Sequence, residues 1–192
     1  MTPLKTLAWT AAAALALTNP AAAQDATMDD AIAALNEAFP GTLIHNPMMT
    51  KFEVAGSDMR AKTVDAPGTM TGKAASVRLK KRKPKPWDAP YRATIDGEVK
   101  KGDRIQVYYY ARTAKPARGM DTGDVSMFLG RNVEPYDYII AEEFKPGTEW
   151  QLKSLTGTAN ADFPAGSVKL EYQMGRHAQT VEFGPVYVTK LD

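Results

Sequence analysis

The chain has 192 residues, 44% of them hydrophobic, a formal charge of +2 at neutral pH, and no cysteine. A chain so close to neutral is not a general polyanion binder, and the lack of cysteine excludes disulfides, thiol catalysis and thiolate zinc sites. The apolar content is enough for a core, and packing alone must stabilise a domain of this size.

The first residues read as an export signal. Lys5 precedes the apolar run LAWTAAAALAL, and Ala21, Ala22 and Ala23 supply the small residues of a cleavage site before Gln24. The run is too short to cross a bilayer, which takes about 20 residues, and no later segment is apolar for longer. Residues 1–23 are therefore expected to be removed, leaving a product without a membrane span in the periplasm or outside the cell. Residues 24–45 read as one short N-terminal helix and a lead-in. In TMDDAIAALNEAF, Thr27 is the candidate N-cap, Asp30 follows three residues on, Ile32, Leu35 and Phe39 share a face, and Pro40-Gly41 ends the helix.

From residue 46 to 192 the pattern is that of strands. Candidates lie near 50–55, 59–64, 74–80, 88–96, 104–113, 123–131, 137–144, 149–156, 167–174 and 178–190, separated by turn signals such as IDG at 95–97, KKGD at 100–103 and FPAG at 163–166. Short strands at regular spacing with no helices between them predict an all-β fold, a two-sheet antiparallel jelly-roll sandwich. Alternation assigns faces. Ile105, Val107, Tyr109 and Ala111 share one side, with Gln106, Tyr108, Tyr110 and Arg112 opposite. Val168, Leu170, Tyr172 and Met174 face the core, with Lys169, Glu171 and Gln173 opposite. Val181 and Phe183 point inward, and Thr180 and Glu182 outward. By the same logic Trp87, alternating with Ala89, Tyr91 and Ala93, and Trp150, alternating with Leu152, read as core residues, with ligand stacking the alternative for Trp87.

Little of this composition supports catalysis. The two histidines, His45 and His177, form no HxH or HExxH pair, so a cupin-like metal site has no ligands at the required spacing. There is no GxSxG elbow. Glu142 and Glu143 are adjacent on a strand and point to opposite faces, so they cannot act as a glycosidase pair. Arg176 and His177 follow Gly175 at a hairpin end and read as loop residues. The run RLKKRKPKP carries Arg78, Lys80, Lys81, Arg82, Lys83 and Lys85. It is either a solvated connection whose charge keeps strand edges apart or an attractor for an acidic polysaccharide, a lipopolysaccharide or an anionic membrane. Nucleic acid is not an expected partner of an exported chain.

The stretch KPWDAPYRATIDGEVKKGDRIQVYYYART resembles carbohydrate-binding jelly-roll modules of the cellulase-associated CenC type, within the galactose-binding-like superfamily. The shared elements are Pro86-Trp87-Asp88, the turn Lys100-Lys101-Gly102-Asp103 and the ending Tyr110-Ala111-Arg112, while MGRHAQTVEFGPVYV resembles the last two strands. The resemblance spans about residues 50–191 and implies a face that grips a polysaccharide or oligosaccharide without catalysis. Tyr110 stands where the family has tryptophan. Such modules are often stabilised by calcium; Asp121, Asp124 and Asp192 carry suitable oxygens, but their spacing singles out no metal site. Sugar recognition needs flat aromatics and planar polar groups. Tyr108, Tyr110, Arg112, Glu171, Gln173, Gln179 and Glu182 match that inventory and are expected to form one face of strands 104–113, 167–174 and 178–190. The alternatives are that these residues are simply the solvent side of their strands, and that the chain is a periplasmic structural or protein-interaction jelly roll that no longer binds sugar.

Overall fold

The computed structural model describes residues 33–35, 37–45, 47, 51–131 and 133–192. The expected export signal and the start of the expected helix, with Thr27, Asp30 and Ile32, lie outside the described residues. Residues 33–35 and 37–38 are helical. All ten expected strands are present, preceded by a two-residue strand: β1 (Thr42–Leu43), β2 (Glu53–Val54), β3 (Met59–Asp65), β4 (Lys73–Leu79), β5 (Pro90–Ile95), β6 (Arg104–Lys115), β7 (Val125–Gly130), β8 (Tyr138–Phe144), β9 (Gln151–Thr158), β10 (Val168–Gln173) and β11 (Thr180–Leu191).

They form two antiparallel sheets, as a jelly-roll sandwich requires. One has the order β3-β4-β11-β6-β9, with β1 added beside β11; the other has the order β2-β5-β10-β7-β8. The inward rows meet as expected. Ile105, Val107, Val181 and Val188 of the first sheet and Ile95, Met127, Leu129, Leu170 and Tyr172 of the second have no exposed surface. Aromatic rings tie the layers together, Tyr172 stacking on Phe183 at 4.2 Å and Tyr91 on Phe183 at 5.7 Å.

One irregularity in β11 sets what lies outside the first sheet. Phe183 pairs with Ala111 but Val186 pairs with Tyr109, so β11 carries one extra residue there. This bulge, at Gly184-Pro185, re-phases the strand: Val181 and Phe183 face the core before it, Val186 and Val188 after it, and Tyr187 turns outward. Gly184 is required by contact, because a side-chain carbon there would lie 2.8 Å from Tyr110 Cβ and 3.0 Å from Thr69 Cγ2. Outward Tyr187 then joins Tyr110, Leu35 and Phe39 in a second small core, with Leu43, Tyr108 and Trp150 packed around it. Phe39 sits 4.5 Å from the Tyr108 ring and 4.7 Å from that of Tyr187.

Two core assignments change. Trp150 is half-buried but lies on the outer face of the first sheet, against Gly68 and under Arg112, while Leu152 is 44% exposed. In β9, Leu152 pairs with Tyr110 in the outward row, while Leu155, paired with Val107, is the residue that packs against the core. Trp87 is 54% exposed, although Ala89, Tyr91 and Ala93 are buried as expected. It stands on a 3-10 turn, Pro86–Asp88, and period-2 alternation does not extend into a turn.

Candidate functional site

The seven residues expected to form one face occupy two sheets. β10 pairs with β5 and β7 and never touches β11, because residues 174–179 carry the chain from one sheet across to the other. Tyr108 and Tyr110 lie under Leu35 and Phe39. Arg112 donates from Nε to Glu182 Oε2 at 2.7 Å and stacks 4.8 Å above the Trp150 ring. Gln179, 3% exposed, is a latch: its Nε2 donates to the Asp124 carbonyl at 2.6 Å and its Oε1 accepts from the Asp124 amide at 2.9 Å. These five side chains are bound to the protein itself. The joint face over β6, β10 and β11 is thereby corrected, and only Glu171 and Gln173 remain together on an open surface.

That surface is the outer face of the second sheet. Register places Glu53, Arg92, Glu171 and Phe128 in one row across β2, β5, β10 and β7, and Pro90, Gln173 and Ser126 in the next. Of these, Arg92, Glu171, Phe128, Pro90 and Gln173 line a groove of about 480 Å³, with Trp87 on its turn and Tyr136 and Tyr138 at the far edge. Six large hydrophobic residues are exposed among the described residues, and three of them, Trp87, Tyr136 and Tyr138, line this groove. This clustering of exposed apolar side chains makes the groove the candidate binding site. Phe128 lies 5.1 Å from Tyr138, continuing the aromatic wall.

The polar groups between these walls are held in place. Gln173 Nε2 donates to Glu171 Oε1 at 2.7 Å, and both side chains are largely buried, so the carboxylate is oriented by a neighbour while its second oxygen has no hydrogen-bond partner among the described residues. Arg92 Nε donates to Glu53 Oε1 at 2.7 Å. Burial, then the charge of Glu171, pushes the Tyr138 phenol above its ordinary value, so it remains a hydrogen-bond donor at neutral pH. Lys85 reaches over Trp87, with Nζ 5.4 Å from the ring centroid. The basic run thus crosses from the first sheet, where Arg78 lies next to the end of β4, to the rim of the groove on the second. Within it Lys83 is committed to Asp58 at 2.9 Å and to Ser57 at 2.7 Å.

Sequence reasoning placed Trp87 in the core, with ligand stacking as the alternative, and did not single out Pro90, Arg92, Phe128, Tyr136 or Tyr138. A usable signal existed for two of them. Tyr136 and Tyr138 sit in EPYDY, where Pro135 and Asp137 argue for a loop, and a pair of tyrosines in a loop is a candidate for exposure.

At the opposite end of β11, Arg176 donates to Asp124 at 2.9 Å and to Glu143, and His177 Nε2 lies 3.3 Å from the other Asp124 oxygen. Both Asp124 oxygens are therefore occupied by side-chain nitrogens. No group of three His, Cys, Asp or Glu side chains suits a metal ion among the described residues. The residues present do not fit the calcium that the family resemblance implies.

No family model and no curated protein matches the chain. Solved structures match its fold. A structure described as "CBM4 structure and function" superposes with a TM-score of 0.54 at 17% identity, covering 72% of this chain and 86% of the other. The second N-terminal cellulose-binding domain of Cellulomonas fimi β-1,4-glucanase C has a TM-score of 0.56 at 18% identity, covering 80% and 94%. A xylan-binding CBM22-1 domain from Paenibacillus barcinonensis has a TM-score of 0.54 at 9% identity, covering 80% and 97%. The chain has the jelly-roll fold of these modules.

Proposed function

We propose that the protein is an exported, non-catalytic binder of a polysaccharide or oligosaccharide, and that the chain lies in the groove on the outer face of the β2-β5-β10-β7-β8 sheet. The observation that carries this reading is the exposure of Trp87, Tyr136 and Tyr138 beside the oriented pair Glu171–Gln173 and Arg92. Aromatic faces cover the C–H surfaces of pyranose rings, and planar amide, carboxylate and guanidinium groups bond vicinal hydroxyls in pairs. The folds of cellulose-binding and xylan-binding modules support the reading by analogy. Of the seven residues expected from sequence, Glu171 and Gln173 stay in the proposed site; Tyr108, Tyr110, Arg112, Gln179 and Glu182 do not.

Affinity electrophoresis through gels containing soluble cellulose derivatives, xylans and mixed-linkage glucans tests it. The wild-type protein is expected to be retarded by at least one of these, and Trp87→Ala to run freely in that gel. Unretarded migration of the folded protein through the whole panel, together with recovery of one stoichiometric protein partner by the same groove, would replace the proposal with a protein-docking role.

A further inference from the structure

The net charge of the chain hides a strongly basic area on the other face of the sandwich. Register across the first sheet sets Arg60 opposite Arg78, Arg78 opposite Thr180 and Thr180 opposite Lys115. The neighbouring row runs Lys62, Ser76, Glu182, Arg112. Strands lie about 4.8 Å apart, so each row spans about 14 Å. Arg60, Lys62, Arg78 and Lys115 are exposed, and none is in an ion pair among the described residues. The one carboxylate of the two rows, Glu182, is already committed to Arg112.

Two further observations point to a ligand. Like charges directly opposite each other on antiparallel strands are destabilising, yet Arg60 and Arg78 are such a pair. The area is also concave: Arg60, Ala61, Lys62, Ser76, Arg78 and Thr180 line a depression of about 430 Å³. None of the exposed large hydrophobic residues lines it. A bilayer surface is gripped by cations together with apolar residues that enter it, and a nucleic-acid single strand by cations together with stacking rings. Neither complement is present. Cations flanking the hydroxyls of Ser76 and Thr180 fit a hydrated chain that bears both anions and hydroxyls.

We infer that this face is a second binding surface, specific for a linear acidic polysaccharide, with Arg60, Lys62, Arg78 and Lys115 meeting its carboxylates or sulfates. It uses the opposite sheet from the groove and does not depend on what the groove binds.

The test is affinity electrophoresis in gels of polygalacturonate or alginate, with dextran as the neutral control, for wild type, the double variant Arg60→Gln/Arg78→Gln and Trp87→Ala. The wild type is expected to be retarded by the polyuronates, and to lose at least about tenfold of that affinity between roughly 50 and 200 mM salt as screening and counterion competition rise. The double variant, which removes the like-charge pair and is expected to melt no lower than wild type, is expected to lose about tenfold at low salt while keeping any neutral-glycan retention of the groove. Unretarded wild type overturns the inference. So does equal polyuronate loss in Trp87→Ala, which would assign the anion to the groove. Tighter binding to phosphatidylglycerol vesicles or to duplex DNA than to polyuronate at the same salt would assign the face to a phosphate surface instead.

Discussion

At the residue scale, exposure separates binding from stability. Trp87 and Tyr138 give little to the core, so Trp87→Ala or Tyr138→Ala is expected to weaken glycan binding about tenfold, about 1.4 kcal/mol, with an unchanged melting temperature. Tyr110 has the opposite profile. It is 8% exposed and packed with Leu35, Phe39 and Tyr187, so Tyr110→Ala should cost about 3 kcal/mol of stability and leave glycan affinity untouched; calorimetry and titration on one preparation separate the two. His45 supplies a pH dependence. It is buried, its Nε2 lies 3.1 Å from the Val186 carbonyl oxygen, and burial holds its pKa below 6.5 against the opposing charge of Asp96. The unfolded chain therefore takes up a proton that the folded chain refuses. Its contribution to stability is complete above about pH 6.5 and is lost as pH falls toward the folded value. Melting temperature should drop on acidification from about pH 7 to 5, and His45→Gln should flatten that slope.

At the scale of elements, the helical segment before β1 is a cover rather than a framework. Among the described residues, its Leu35 and Phe39 pack against the outward tyrosines of β6 and β11, with Phe39 between Tyr108 and Tyr187. Phe39→Ala should destabilise the protein by about 3 kcal/mol, and should raise amide exchange in residues 33–43 far more than in β5, β7 or β10. Protection lost evenly across both sheets would show that the cover is part of the cooperative core. The crossing at 174–179 is the other decisive element. It is pinned by Gln179 on Asp124 and by Arg176 and His177 on the same aspartate, so the polar residues that precede β11 tie the crossing to the start of β7 in the other sheet.

At the scale of the whole molecule, the last strand closes the structure. β11 pairs with β1, β4 and β6, joining the two ends of the described chain through contacts distant in sequence. Such topology folds slowly, because long loops must close before any pairing stabilises them. A chain ending at residue 179 is expected to show no cooperative unfolding transition by circular dichroism, since β4 and β6 would lose their shared neighbour. The two broad faces left outside the core differ in chemistry, one aromatic and the other basic.

Much was determined by sequence alone: ten strands, the antiparallel sandwich, and the inward rows of β6, β10 and β11, because side-chain alternation is local and the core demands apolar groups. Even the polar side of β10 was legible, and Glu171 and Gln173 with it. Alternation says which side of its own sheet a residue takes, but not which sheet the strand joins. Pairing is a long-range choice, and it sent β10 and β11 to different layers. The bulge at Gly184-Pro185, the cover of Phe39 over the tyrosines and the turn that turns Trp87 outward were likewise decided only by tertiary structure. Each depends on what another part of the chain brings to that spot, which no local period records.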